Sequence, residues 1–255
     1  MNLLDVLILG VVEGLTEFLP VSSTGHLMLT ARILNLAQTD FTKTFEISIQ
    51  LGAILSVVLA SKKSIMDIRV IKRVLTAFFP TALLGLILYK IVKNVLLDNT
   101  DIVLWALLIG GILLILFEKI HHEDDKGIDD LKKISYKKAF LIGVFQSAAM
   151  IPGVSRAAAT ILGGLVLGLK RKTIVEFSFL LAIPTMLAST IYDVCKSANT
   201  FTQTQIGLLI MGAGVSFVVA MVSIQFLLHF IKNHNFIWFG VYRILVAITF
   251  WFFLK

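Results

Sequence analysis

Two carboxylates, Glu13 and Glu17, stand four residues apart in an otherwise apolar stretch. On a helix that spacing puts both on one face, about one turn apart. After Pro20 comes Ser22-Ser23-Thr24-Gly25-His26, and beside the glutamates this run supplies a nucleophile, an acid-base group and a base or cation ligand. Further along, Pro152-Gly153-Val154-Ser155-Arg156 opens another apolar run. Backbone amides at a helix start there, Ser155 and the planar guanidinium make a phosphate seat. Thr160, one turn after Arg156, can bond a phosphate oxygen or the carbonyl four residues back.

Each group has a structural alternative. Arg156 could simply neutralise the glutamates, and the Ser-Thr run could be an N-cap. Against that, an ionised group at bilayer depth costs about 2.5 to 3.5 kcal/mol and is functional by default. His121-His122 lies in a charged loop and reads as solvated. His229 and His234 read as interfacial, Glu46 and Glu176 as structural supports for the hairpins, with Glu46 the one of the two expected nearer the site, and Arg243 as snorkelling from the last helix to the cytoplasmic face.

The elements that must position these groups are membrane helices. The 255 residues are 57% hydrophobic and 15% charged, against roughly 25% charged in soluble domains, and mean hydropathy is +0.91. The start Met1-Asn2-Leu3-Leu4-Asp5 has no basic n-region, so no removable signal peptide is expected. Cys195 alone excludes a disulfide framework. The net charge of +7 sits in short loops, which fits a positive-inside bias and not nucleic-acid binding.

Lys62, Lys63, Arg69, Lys72 and Arg73 mark one cytoplasmic loop, the lysines of 119–138 a second, and Lys170-Arg171-Lys172 a third. The balanced stretches 90–101 and 196–205 belong outside. Spanning helices near 45–60, 74–92, 102–118, 174–195, 206–231 and 236–254 satisfy this pattern with six crossings. The stretch 138–170 then starts and ends at cytoplasmic lysines and is broken at Pro152-Gly153, so it reads as a re-entrant hairpin; 2–36, broken at Pro20, reads as another that enters from outside. Gly10-Val-Val-Glu13 resembles Gly143-Val-Phe-Gln146, and both breaks carry a proline and a serine. The expected fold is therefore an all-α polytopic membrane protein, a single domain over 1–255, with an inverted-topology repeat of about 1–118 and 139–255 joined by the loop 119–138.

Gly10-Val-Val-Glu-Gly-Leu-Thr-Glu-Phe-Leu-Pro-Val-Ser-Ser-Thr-Gly-His26 and Pro152-Gly-Val-Ser-Arg-Ala-Ala-Ala-Thr160 resemble the two signature regions of the undecaprenyl pyrophosphate phosphatases, also called bacitracin resistance proteins. The similarity continues through Lys43–Gly52, Glu176–Pro184 and Tyr242-Arg243. Ala157 and Ala158 stand where that family usually has Ser and Gly. The resemblance implies hydrolysis of undecaprenyl pyrophosphate to the monophosphate, recycling the carrier lipid of cell-wall synthesis in the bacterial plasma membrane. It carries Glu13, Glu17, Ser23, His26, Ser155, Arg156 and Thr160 over as site residues; with the hydroxyl run, Glu13, Glu17, Ser23, His26 and Arg156 are expected as catalytic residues and Ser22, Thr24, Ser155 and Thr160 as substrate contacts.

A divalent cation, Mg or Ca, is expected on Glu13 and Glu17, and the partners are a polyprenyl pyrophosphate and membrane lipid, with a homodimer left open. Attack by Ser23, by His26 or by water all remain compatible with the residues. The first hairpin brings most reactive groups from outside, so the site is expected to open extracytoplasmically. A secondary transporter or a lipid flippase is the rival reading, because inverted repeats with broken helices also build transporters.

Overall fold

The computed structural model describes residues 1–37, 39–91, 99–121, 123, 126–197 and 202–253. Its elements are α1 (Leu3–Thr16), α2 (Ser23–Ile33), α3 (Asp40–Ser48), α4 (Gln50–Ala60), α5 (Lys62–Ile65), α6 (Ile68–Ile91), α7 (Thr100–Ile120), α8 (Tyr136–Ser147), α9 (Arg156–Val166), α10 (Arg171–Ser197), α11 (Gln203–Phe230) and α12 (Ile237–Phe253). The all-helical class is as expected. Among the described residues, five stretches are long and apolar enough to cross a membrane: Phe41–Ala60, Ile68–Leu88, Thr100–Ile120, Arg171–Tyr192 and Gln203–Phe230. Helix α12 is apolar but has 17 residues. The expected outer loops at 90–101 and 196–205, and His122, fall largely outside the described residues.

Capping fixes where the helices begin. The Asn2 side chain accepts from Asp5 N–H while Asp5 accepts from Asn2 N–H, a reciprocal box that satisfies two orphan donors of α1. Ser22 caps α2 by accepting from Gly25 N–H, and Ser155 caps α9 by accepting from Ala158 N–H. These two caps are the matched serines of the two chain breaks. Each starts a helix of 11 residues. The breaks differ in how they turn: Ser22 itself adopts φ 74°, whereas in the second the left-handed residue is Gly153, with φ 89°. A serine held at positive φ costs energy that its surroundings must offset.

The halves exchange their hairpins. Helix α1 lies on α11, where a Cβ at Gly14 would stand 2.6 Å from the Ser216 carbonyl oxygen. Helix α8 lies on α6 in the same way, Gly143 pressing against the carbonyl of Ala77, and α7 crosses α12 at Gly111 and Gly240. Small residues let backbones approach closely where lipid supplies no hydrophobic drive between helices.

The basic segments gather in one layer. Lys132 Nζ lies 3.1 Å from Asp67, the Arg73 guanidinium donates to Ile134 O, and Arg171 donates to both Glu118 oxygens and through its backbone to Glu123. Arg69, then Lys132, hold the Asp67 carboxyl well below the usual carboxylate range. The α8–α9 hairpin leaves this layer and returns to it, because Lys138 Nζ donates to Leu167 O at 2.6 Å. Met1 and Leu36, before α1 and after α2, pack with Phe41 and Leu208 against one cluster of Val6, Leu9, Leu27, Phe45 and Ile49.

Candidate active site

The two hairpin breaks meet. Glu17, in the turn after α1, accepts from Arg156 Nη2 at 2.8 Å and from Ser23 Oγ at 2.5 Å. Arg156, the first residue of α9, also donates through Nη1 to Ser178 O at 2.7 Å, and its guanidinium stands 6.0 Å from the Phe18 ring centroid. Its Nε–H has no partner. The Glu17 side chain is only 3% exposed and that of Arg156 12%, so their attraction is little screened. A serine hydroxyl donating to a carboxylate that an arginine holds in place has the arrangement in which a base can activate a nucleophile beside an anion receptor.

A cavity of about 530 Å³ opens on this cluster. Glu17, Ser22, Ser23, Thr24, Ser155 and Arg156 line it, together with Phe78, Leu86, Met150, Met186 and Tyr192, which contribute apolar surface. An anionic head group and a greasy tail thus find separate surfaces in one space. Of the residues singled out in sequence, those six reach the cavity wall and Glu13, His26 and Thr160 do not.

Thr160 sits behind Arg156, bonded to Arg156 O and Ala157 O and 2.6 Å from Ser178 Oγ. It braces the turn that presents the guanidinium. His26 faces away, with Nδ1 at 2.8 Å from Ser22 O and Nε2 at 2.9 Å from Tyr242 Oη. The carbonyl can only accept, so Nδ1 carries the hydrogen and Nε2 takes the phenolic one. Glu13 is fully buried on α1 and neither carboxylate oxygen has a hydrogen-bond partner; the same holds for Glu46 Oε1. Ala157 and Ala158 are buried in the main core.

Two expectations about outlying residues are corrected. Arg243 does not snorkel: it is 1% exposed and donates to Ala106 O and Leu107 O of α7, to Pro20 O in the first break and to Gly153 O in the second. Four carbonyls satisfy its fork, so no acid is needed, and Gly110 leaves the room it occupies. Glu176 does not support a hairpin; it is partly exposed and lies 3.9 Å from Lys172 one turn earlier.

Sequence reasoning passed over Ser178, Thr81, Gln146 and Thr185, all within hydrogen-bonding reach of the site or its cavity. The available signals were Pro80-Thr81 and Pro184-Thr185, prolines inside spanning helices, and Gln146 as the partner of Glu13 in the repeat.

The family described as bacitracin resistance protein BacA matches residues 6–249. The chain is 52% identical over 251 residues to an undecaprenyl-diphosphatase of Sulfurihydrogenibium sp. (strain YO3AOP1), covering 98% of this chain and 99% of the relative. It is 49% identical over 247 residues to one of Aquifex aeolicus (strain VF5), covering 96% of each. A third, of Wolinella succinogenes, is 47% identical over 255 residues, covering 100% of this chain and 99% of the relative. With apolar helices throughout and a match across nearly its whole length, this multi-pass membrane protein belongs to the bacitracin resistance protein BacA family.

Proposed function

We propose that this chain hydrolyses undecaprenyl pyrophosphate to undecaprenyl phosphate and orthophosphate, recycling the carrier lipid of bacterial cell-wall synthesis and conferring bacitracin resistance. The observation that carries the reading is the Ser23–Glu17–Arg156 cluster on the wall of a cavity that also has a broad apolar surface. Near-full-length identity to undecaprenyl-diphosphatases supports the same substrate.

The terminal phosphate enters against Arg156 Nε and the amides at the start of α9. Glu17 takes the Ser23 proton as Oγ attacks the terminal phosphorus, and the bond to the bridging oxygen breaks. The proton held by Glu17 passes to the departing prenyl phosphate. A water then attacks the phosphoserine and gives a proton to Glu17, orthophosphate leaves, and Ser23 recovers the proton. Arg156 neutralises charge on the transferring group throughout, the larger part of catalysis in phosphoryl transfer. His26 and Thr160 act from behind, holding Ser22 and Arg156 in place, and Glu13 lies one turn below Glu17.

The donor chemistry of Glu13 and Glu17 suits a hard divalent cation, Mg or Ca, because both Glu13 oxygens are buried without partners. Bound there it would supply positive charge behind Glu17. The gathering of the basic loops in one layer supports six crossings, with α1–α2 and α8–α9 as re-entrant hairpins of an inverted repeat. In that frame α10 leaves the cytoplasmic face at Arg171. Ser178 lies about 10 Å along it and cavity-lining Tyr192 about 31 Å, at 1.5 Å per residue. The cavity accordingly faces outward from the plasma membrane.

The test is orthophosphate release from a short prenyl pyrophosphate by purified protein in detergent, where transport has no meaning, with acid-quench trapping of a phosphoserine. Release with label on Ser23, and loss of both in Ser23→Ala, is the expected result. Absence of release from folded wild type removes the enzyme reading; release without label at Ser23 replaces covalent attack by direct attack of water.

A further inference from the structure

Helices α6 and α8 run side by side in the same direction. Arg73 meets Ile134 and Tyr136 where α8 begins, Gly143 presses on Ala77, and the Thr81 hydroxyl donates to Gly143 O. Ahead of that close contact a groove of about 520 Å³ lies between the two helices. Lys72, Leu75, Thr76 and Phe79 form its α6 side, and Tyr136 and Phe140 its α8 side. Steps of three and four residues along each helix place these groups on one face of it. None of the six lines the cavity of the candidate active site.

The groove is apolar along its length and basic at one end. Leu75, Phe79, Tyr136 and Phe140 are 41 to 60% exposed, and Ile68–Leu88 is one of the stretches fit to cross a membrane, so these side chains meet lipid. Exposed apolar groups alone would select no particular lipid; the charge beside them does. Lys72 is exposed, and the neighbouring acids are engaged elsewhere, Asp67 by Arg69 and Lys132 and Asp129 by Lys133. Among the described residues neither Lys72 nor Arg73 is in an ion pair. Arg73 donates to Ile134 O and Arg69 O and lies 5.1 Å from the Tyr136 ring centroid, so its donors are largely committed while its charge stays unbalanced. The Thr76 hydroxyl turns back to Lys72 O. That leaves the Lys72 ammonium to meet an anion, with Arg73 adding to the positive field behind it.

We propose that this groove seats an anionic diacyl phospholipid, its phosphodiester against Lys72 and its two acyl chains along Leu75 and Phe79 on one side and Phe140 on the other. Charge complementarity selects the head group, because basic pockets between membrane helices hold anionic lipids. A phosphodiester carries one negative charge and one free ammonium matches it, whereas a prenyl pyrophosphate brings more charge and a single chain. Two apolar strips, one from each helix, suit two chains. The bound lipid bridges α6 and α8 beside the joint that Gly143 packs. The seat is separate from the candidate active site and stands whether or not that cavity hydrolyses a pyrophosphate.

The test is native mass spectrometry of the full chain in detergent, given equal amounts of phosphatidylglycerol and phosphatidylcholine with the same acyl chains. Wild type should retain phosphatidylglycerol in clear preference. Lys72→Gln should lower that preference by about fivefold, the contribution of one basic residue near an anionic lipid, and Lys72→Arg, which keeps the charge, should preserve it. Lys63→Gln removes an exposed lysine that does not line the groove and should change the preference by less than about twofold, on the same scale. Phe79→Ala should reduce retention of both lipids alike. Glycerol 3-phosphate, the head group without chains, should displace neither. Equal retention of the two lipids by wild type, or equal losses in Lys72→Gln and Lys63→Gln, overturns the seat, since diffuse surface charge then accounts for the binding. Displacement by glycerol 3-phosphate, or retention of a prenyl phosphate in preference to phosphatidylglycerol, overturns the diacyl occupant.

Discussion

At the scale of the residue, chemistry depends on how one guanidinium divides its donors. Arg156 sends Nη2 to Glu17, Nη1 to Ser178 O, and keeps Nε free. A lysine has a point charge and no fork, so it cannot hold the carboxylate and a backbone carbonyl while facing a phosphate. Arg156→Lys should lower kcat/KM by well over about tenfold, a loss above 1.4 kcal/mol, while the melting temperature in detergent changes little. Turnover close to wild type would take Arg156 out of the transition state. Glu17→Gln keeps the shape but removes the acceptor that draws the Ser23 proton, and a loss of about 10² to 10⁴ is expected for a missing general base. Steady-state release of orthophosphate measures both. These residues were legible because ionisable groups inside apolar segments stand out against their surroundings. The facing of His26 was not, since residue type says nothing about which side of a two-hairpin junction an imidazole takes. The Ser22 carbonyl and the Tyr242 hydroxyl, the latter 216 positions away, fix it.

At the scale of the element, the hairpins are held by close backbone contact and by Arg243. Gly143 has no room for a methyl, because the carbonyl of Ala77 lies where Cβ would go and a helix backbone cannot yield as a side chain can. Gly143→Ala should therefore destabilise by about 1 to 3 kcal/mol, as overpacking does. Gly207, with nothing within 4 Å of its added Cβ, is the control, and Gly207→Ala should be neutral or slightly stabilising on helix propensity. Thermal melting in the same detergent separates the two, and equal effects would refute the close-packing argument. Arg243 ties Pro20 O to Gly153 O and so sets the two breaks against each other. Arg243→Gln should depress turnover without changing which residues touch substrate, and a cross-link between the two turns should restore part of it. The helices themselves could be read from apolar runs and loop charges within a few residues at most ends. Charged helix ends were harder: α6 begins at Ile68, ahead of the apolar run, because Asp67 accepts from Arg69 N–H and starts it early.

At the scale of the whole molecule, two helical hairpins bring their breaks together. Charge patterning singled out the basic loops, and these do contact one another. The cavity and the Gln146 cluster were beyond the sequence, because they arise where α6, α8 and α10 converge, and no single stretch encodes that convergence. Sidedness and chemistry are tested together by one measurement. Protein is reconstituted in sealed vesicles of known orientation and given a short, membrane-impermeant prenyl pyrophosphate. Prompt orthophosphate release is expected when substrate faces the side away from the 119–138 loop, abolished in Arg156→Lys, with substrate on the loop side spared until detergent opens the vesicles. Prompt release on the loop side, or none after opening, would contradict the account.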